Sequence, residues 1–160
     1  MGLGSTARTA QTAGTKFATA DKLYDISDRG PRWLSDPRIA EAVCAEIETG
    51  DDPTHFEYVL HEYVVMPNHV HLFITPRVEV DTIMKRLKGK TAKVANALLG
   101  LEGKPFWHRE SYDHFSRNER EFERIRAYIA FNPVKARLAR EPQEWPWSSA
   151  HRRKRSVVKL

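Results

Sequence analysis

His69 and His71 stand two apart, with Val70 between them and Leu72 and Ile74 following. On a strand, residues i and i+2 leave on the same face. Val70, Leu72 and Ile74 then leave on the other face, where an apolar layer can take them. Two imidazoles side by side on a rigid strand are what a two-histidine metal clamp requires, although short strands also produce the pattern without a metal. Tyr128 and Asn132 form a second pair, four apart on a helix halted near Asn132-Pro133. That spacing puts them on one helix face. Tyr128 borders a stripe of Phe122, Ile125 and Ile129, so it fits either a core-edge tyrosine with a wet hydroxyl or a reactive phenol. Asn132 before a proline is also ordinary helix-ending chemistry.

Taken together, the four residues suggest one reaction. A tyrosine hydroxyl can attack phosphorus and form a covalent phosphotyrosine. It needs a Lewis acid to polarise the phosphate and orient an in-line attack. Two histidines and one amide or carboxylate oxygen would hold Mg²⁺ or Mn²⁺ and leave positions for phosphate oxygens. Mg²⁺ usually prefers oxygen, so a histidine pair is an unusual but tolerable site. Asn132 is the candidate third ligand. The other reading of the histidine pair is a metallohydrolase in which water, not tyrosine, is the nucleophile.

The elements that must hold these residues follow from pattern. Phe56 to Val65 is rich in β-formers, Met66-Pro67-Asn68 is a turn, and His69 to Thr75 is a strand ended by Pro76. Ser35-Asp36-Pro37 starts a helix carrying Ile39, Ala42, Val43 and Ile47, closed by Gly50. A helix is expected from Asp81 to Leu99, with Ile83, Met84, Leu87, Val94, Ala95 and Leu98 as its stripe and Gly100 as its stop. Phe106 to Phe115 reads as a strand. Asn118-Glu119-Arg120-Glu121 has the spacing of a capping box and opens the helix of Tyr128. Strands mixed with helices and a hairpin indicate an α+β sandwich: one antiparallel sheet with helices packed on it. Residues 1–20 read as a weakly ordered N-terminal arm, 21–150 as a single domain, and 151–160 as a mobile basic C-terminal tail.

Composition bounds the setting. The chain has 160 residues, 41% apolar and 29% charged, a soluble globular balance. Its one cysteine, Cys44, excludes an internal disulfide framework or a multi-cysteine zinc site. No apolar run reaches a membrane span and no signal peptide is evident, so a cytoplasmic location is expected. The net charge of +5 is unevenly spread. Asp36 to Glu62 carries eight acids against Arg38, which leaves a basic body outside that segment. Such a body suits a polyanion such as nucleic acid, or is a solvated surface without a partner. Between Thr82 and Gly100, Lys85, Arg86, Lys88, Lys90 and Lys93 stand without an acid. Lys85, Arg86, Lys88, Lys93 and Arg109 are the candidate DNA contacts, and Trp107 could stack on an unpaired base or fill the core. Cys44 reads as a small buried hydrophobe.

Four segments carry a resemblance to a known family. Tyr63-Val64-Val65-Met66-Pro67-Asn68-His69-Val70-His71-Leu72 resembles the motif of HUH-type single-tyrosine transposases. Phe106 to Asp113, Tyr128 to Ala136 and Trp145-Pro146-Trp147-Ser148-Ser149-Ala150 resemble further motifs of one branch, the REP-associated tyrosine transposases. The resemblance runs from about Pro31 to Ala150. It implies a ferredoxin-like antiparallel sheet, with the histidines on a central strand and the tyrosine on a helix beside it. It also implies a single-stranded DNA endonuclease and strand transferase. Such an enzyme would recognise a DNA hairpin, cut beside it, and hold the 5′-phosphate on tyrosine. Carried over, Tyr128 is the nucleophile, His69 and His71 the metal pair and Asn132 the third ligand. The partner implied is single-stranded or hairpin DNA, with the protein a monomer or homodimer.

The chain departs from the family pattern in two places. The family's first strand would fall at Thr15 to Ala20, which is short and poor in β-branched apolar residues. A damaged sheet edge there motivates an alternative, a catalytically impaired hairpin-binding protein. Arg137 stands where the family more often has glycine, which suits a helix continuing past Pro133.

Overall fold

The structure, a computed structural model, describes residues 22–28 and 32–158, with the backbone only at 22–25, 27–28, 109–115 and 157–158. The arm expected at residues 1–20, including Thr15 to Ala20, lies outside the described residues. The chain runs β1 (Lys22–Asp28), α1 (Pro37–Asp51), β2 (Tyr58–Val65), β3 (His69–Pro76), α2 (Val80–Leu99) and β4 (Trp107–Phe115). It continues through α3 (Glu119–Ala130), α4 (Asn132–Lys135) and α5 (Ser149–Val158). The four strands form one sheet in the order β2-β3-β1-β4, every pair antiparallel. A βαββαβ chain wound this way is ferredoxin-like, so the expected α+β class holds.

The first strand departs from the sequence reading. Among the described residues it is Lys22–Asp28, and it is no edge, because β1 pairs with both β3 and β4. Its register sets Ser27 opposite His69 and Asp25 opposite His71. Ile26, the residue of this strand whose side chain is described, lies in the core. With β1 formed at the sheet centre, the motive for the impaired-enzyme reading falls away.

Helices cover the two faces of the sheet unequally. Ile39, Val43, Ile47, Ile83, Leu87 and Ala95 of α1 and α2 pack on Val70, Leu72 and Ile74 of β3. On the other face Ile125 and Ile129 of α3 pack on Val64, Met66 and Phe73. A bulge in β2 makes this alternation work. Its register shifts between Leu60 and Glu62, so two residues oppose Phe73. The parity of the strand flips there: Tyr58 and Leu60 face α1 before it, and Tyr63 and Val65 after it.

Local chemistry explains the helix ends. The Asp36 side chain accepts from the Arg38 N–H at 2.9 Å, with Pro37 in the first turn, as the sequence indicates. Gly50 does not close α1 but remains helical inside it. A Cβ there would strike the Tyr58 ring, which is wholly buried. Gly100 ends α2 at φ +66, the left-handed conformation that favours glycine. Val94 is not part of the α2 stripe: it is 42% exposed, and Thr91 and Asn96 are buried instead. Thr91 Oγ1 accepts from Trp107 Nε1 at 2.8 Å, which places it inside.

The C-terminal residues are a docked helix rather than a mobile tail. Arg152 holds both carboxylate oxygens of Glu41 at 2.8 Å, and Arg153 holds both of Glu62 at 2.9 Å. The segment before α5 covers the edge of β2. Val65 N–H donates to Trp147 O at 2.8 Å, Trp145 Nε1 to Val65 O at 2.9 Å, and Tyr63 N–H to Ser149 Oγ at 3.0 Å. An open strand edge invites pairing with other chains, and Trp145 to Ser149 closes this one. No helix of the described residues is long and apolar enough to cross a membrane.

Candidate active site

β3 is a central strand, so its residues are fixed from both sides. The turn at Met66-Pro67-Asn68 is closed by Met66 N–H donating to His69 O at 2.8 Å, and Leu34 N–H donates to Pro67 O at 3.1 Å. From that anchored turn His69 and His71 leave on the α3 face. Their Nε2 atoms are 3.1 Å apart. Asn68 Oδ1 lies 2.8 Å from Nδ1 of His69. An amide oxygen only accepts, so Nδ1 carries the proton and Nε2 of His69 presents a lone pair.

α3 brings up Tyr128, and the short α4 that follows it brings up Asn132. Asn118 caps it, its side chain accepting from Glu121 N–H at 2.9 Å. Glu121 reaches back to Arg117 N–H at 2.9 Å, one residue before the usual capping-box partner. α3 stops at Ala130, and Asn132 opens the short α4 instead of continuing the same helix. The face shared by Tyr128 and Asn132 survives this break. Asn132 Nδ2 is 3.2 Å from His71 Nε2, and the Tyr128 ring meets the His71 ring edge-on with centroids 5.4 Å apart. Lys135 Nζ sits 5.0 Å from the centre of the Tyr128 ring. His71 is buried, whereas Tyr128 is 42% exposed and lies outside the apolar cluster it borders. The nucleophile candidate is thus open to solvent and the histidine beneath it is not.

The donors fit a small cation. As placed, Asn132 Nδ2 lies 3.2 Å from His71 Nε2. The 3.1 Å between the two Nε2 atoms is about the spacing of neighbouring donors on one octahedral cation with bonds of about 2.1 Å. Turning the Asn132 amide over would bring Oδ1 into the place of Nδ2. Among the described residues no group of three or more His, Cys, Asp or Glu side chains could hold a metal.

The expected DNA contacts are not gathered at this site. Arg86 is an internal strut: Nε pairs with Glu57 at 2.7 Å and Nη1 with Glu46, and only 12% of its side chain is exposed. Trp107 is buried and hydrogen-bonded to Thr91, which makes it core rather than a stacking platform. Lys88 Nζ donates to His108 O at 3.1 Å, and burial holds its ammonium below the usual lysine range. Lys85 and Lys93 are exposed but sit on α2, across the sheet from the histidines. The side chain of Arg109 lies outside the described residues. Cys44 is buried, and burial pushes its thiol up to about 12.

The acidic segment has a place that sequence alone did not reveal. Glu41, Glu46, Glu48, Glu57 and Glu62 pair with Arg86, Lys90, Arg126, Arg152 and Arg153. It is internal counter-charge for α2, α3 and α5. Lys135 also lies beside Tyr128, and its spacing of seven from Tyr128 is the signal the sequence carries for it.

The ferredoxin-like sheet carries the histidine pair on a central strand and Tyr128 on a helix over that pair. The chain belongs to the family described as Transposase IS200 like, whose model matches residues 43–132. A REP-associated tyrosine transposase of Escherichia coli is 28% identical over 95 residues, 59% of this chain and 56% of that protein. The chain therefore spans little more than half of that relative. A Haemophilus influenzae protein provisionally given the same name is 24% identical over 139 residues, 79% of this chain and 76% of its own length. A solved REP-associated tyrosine transposase bound to a REP hairpin superposes with a TM-score of 0.64 at 18% identity. That match covers 94% of this chain and 84% of the other, and it shows the shared fold.

Proposed function

We propose that this protein is a metal-dependent single-stranded DNA endonuclease and strand transferase that cuts beside DNA hairpins through a 5′-phosphotyrosine. The observation that carries the reading is the convergence of His69 Nε2, His71 Nε2 and the Asn132 amide beneath the exposed Tyr128 ring. Tyr128 Oη attacks the scissile phosphorus as the P–O3′ bond breaks. The phenolic proton passes to water, the leaving 3′-oxygen takes up a proton, and the 5′-phosphate stays on Tyr128. A later 3′-hydroxyl reverses the step, restoring the phosphodiester and the phenol. His69, His71 and Asn132 would hold Mg²⁺ or Mn²⁺, which when bound supplies charge stabilisation at the phosphate oxygens. Asn68 orients His69, and α3 packed on Phe73 and Val64 fixes Tyr128 over His71. All four residues come from one chain.

The family relationship and the hairpin bound by the structural relative support this substrate class. The test is incubation with hairpin-bearing single-stranded DNA and Mn²⁺. A covalent adduct that resists denaturing electrophoresis and maps to the Tyr128 peptide supports the reading. Cleavage without an adduct points to water as nucleophile, and tight hairpin binding with neither points to an impaired enzyme.

A further inference from the structure

Phe131 is placed differently from the other phenylalanines whose side chains are described. Phe73 and Phe122 pack on each other at 4.9 Å between ring centres, and Phe106 stacks on Trp33 at 5.6 Å. Phe56 is 46% exposed, but the Arg77 guanidinium covers its ring at 3.9 Å. Phe131 is 49% exposed, belongs to neither apolar cluster, and has no ring or cation over it among the described residues. It is not a loose side chain on a loose loop. Its N–H donates to Ala127 O at 3.0 Å, and its carbonyl accepts from Lys135 N–H at 3.0 Å. It stands three residues from Tyr128, hence beside it on the helix surface, and directly before Asn132.

We infer that Phe131 is a stacking platform for an unpaired base next to the phosphate presented to Tyr128, with Lys135 as the neighbouring phosphate contact. This rests on the DNA reading above. Proteins that hold single strands combine an aromatic face for the base with a cation for the backbone. Phe131, beside Tyr128 on the helix surface, and Lys135, with Nζ 5.0 Å from the Tyr128 ring centre, supply that combination, and among the described residues nothing else occupies the Phe131 ring. Stacking is tolerant of base identity, so Phe131 would position the strand rather than read its sequence.

Binding without metal separates this inference from catalysis. Wild type, Phe131→Ala and Phe131→Trp are titrated in chelator with a thymidine oligomer of about 20 nucleotides, longer than the roughly 4–16 of small single-strand sites, and with an abasic oligomer of equal length. Phe131→Ala is expected to lose about 5- to 100-fold in affinity for the thymidine strand and to bind the abasic strand as wild type does. Phe131→Trp is expected to restore affinity, with an added tryptophan emission that only the thymidine strand quenches. Equal losses on both strands, no loss, or a change in oligomeric mass instead would overturn the inference. If Tyr128 forms its adduct while Phe131→Ala binds normally, the platform fails and the enzymatic reading stands. If no adduct forms but the base-dependent loss appears, the reverse holds. A wild type that binds neither strand overturns the inference, while the enzymatic reading is decided by the adduct on hairpin-bearing DNA.

Discussion

The two faces of the sheet are built from alternate residues of the same strand, yet one is closed and the other open. Under α1 and α2, Val70, Leu72 and Ile74 are sealed among large side chains and are essentially inaccessible. Under α3, the apolar cluster is small, and the helix that roofs it leaves Tyr128 and Phe131 in solvent. The period of two along β3 lets stability and chemistry occupy interleaved positions. Substitutions one residue apart should therefore separate function from folding.

The largest effect is expected at the histidines. His69→Ala with His71→Ala should abolish Mn²⁺-dependent cleavage in a gel assay. Hairpin affinity without metal should stay within about threefold of wild type, since phosphate contacts elsewhere carry binding. Full cleavage by the double variant would break the division of faces. One residue away the expectation reverses. Leu72→Ala should cost about 2–5 kcal/mol in urea unfolding while the folded fraction still cuts. A selective loss of cleavage at unchanged stability would show that the closed face is part of the site.

A smaller effect concerns Arg137. It is not in a helix continuing past Pro133. α4 ends at Lys135, and Arg137 has φ +58 with Leu138 N–H donating to Pro133 O at 2.9 Å. The glycine usual in the family is explained by that left-handed turn. Arg137→Gly should stabilise the protein by about 0.5–1 kcal/mol by relieving it, read as a raised urea midpoint with cleavage unaltered. The smallest effect belongs to α2. Lys85→Ala with Lys93→Ala should change the slope of log affinity against log salt by less than about one, because these lysines lie across the sheet from the site. A loss of about two, one for each lysine, would place DNA on the closed face as well.

What could be read from the sequence was local. The alternation at His69 to Ile74, the Asp36-Pro37 and Asn118 caps, and the spacing of Tyr128 from Asn132 are set by near neighbours, and all appear in the fold. The missed features depend on residues far apart. Lys22–Asp28 becomes a strand because β3 and β4 pair with it on both sides, not because its own residues alternate. His151 to Val158 looks like a basic tail until Glu41 and Glu62, roughly a hundred positions earlier, are brought beside Arg152 and Arg153. Arg86 and Trp107 have the composition of a DNA surface and are spent on Glu57 and Thr91. Within the site, sequence placed the two histidines on the strand and Tyr128 on the helix, but it put Asn132 on that same helix rather than on α4. It did not show that α3 breaks before Asn132, that Phe131 is left bare, or that Lys135 reaches the Tyr128 ring.

The most direct measurement is Tyr128→Phe beside wild type, with hairpin-bearing single-stranded DNA and Mn²⁺, resolved on a denaturing gel. The ring contact with His71 is kept and one oxygen is removed. If Tyr128 is the nucleophile, wild type forms a covalent protein–DNA adduct, and the variant binds the hairpin equally well but gives neither adduct nor cut strand. A cut strand or an adduct from Tyr128→Phe would contradict it.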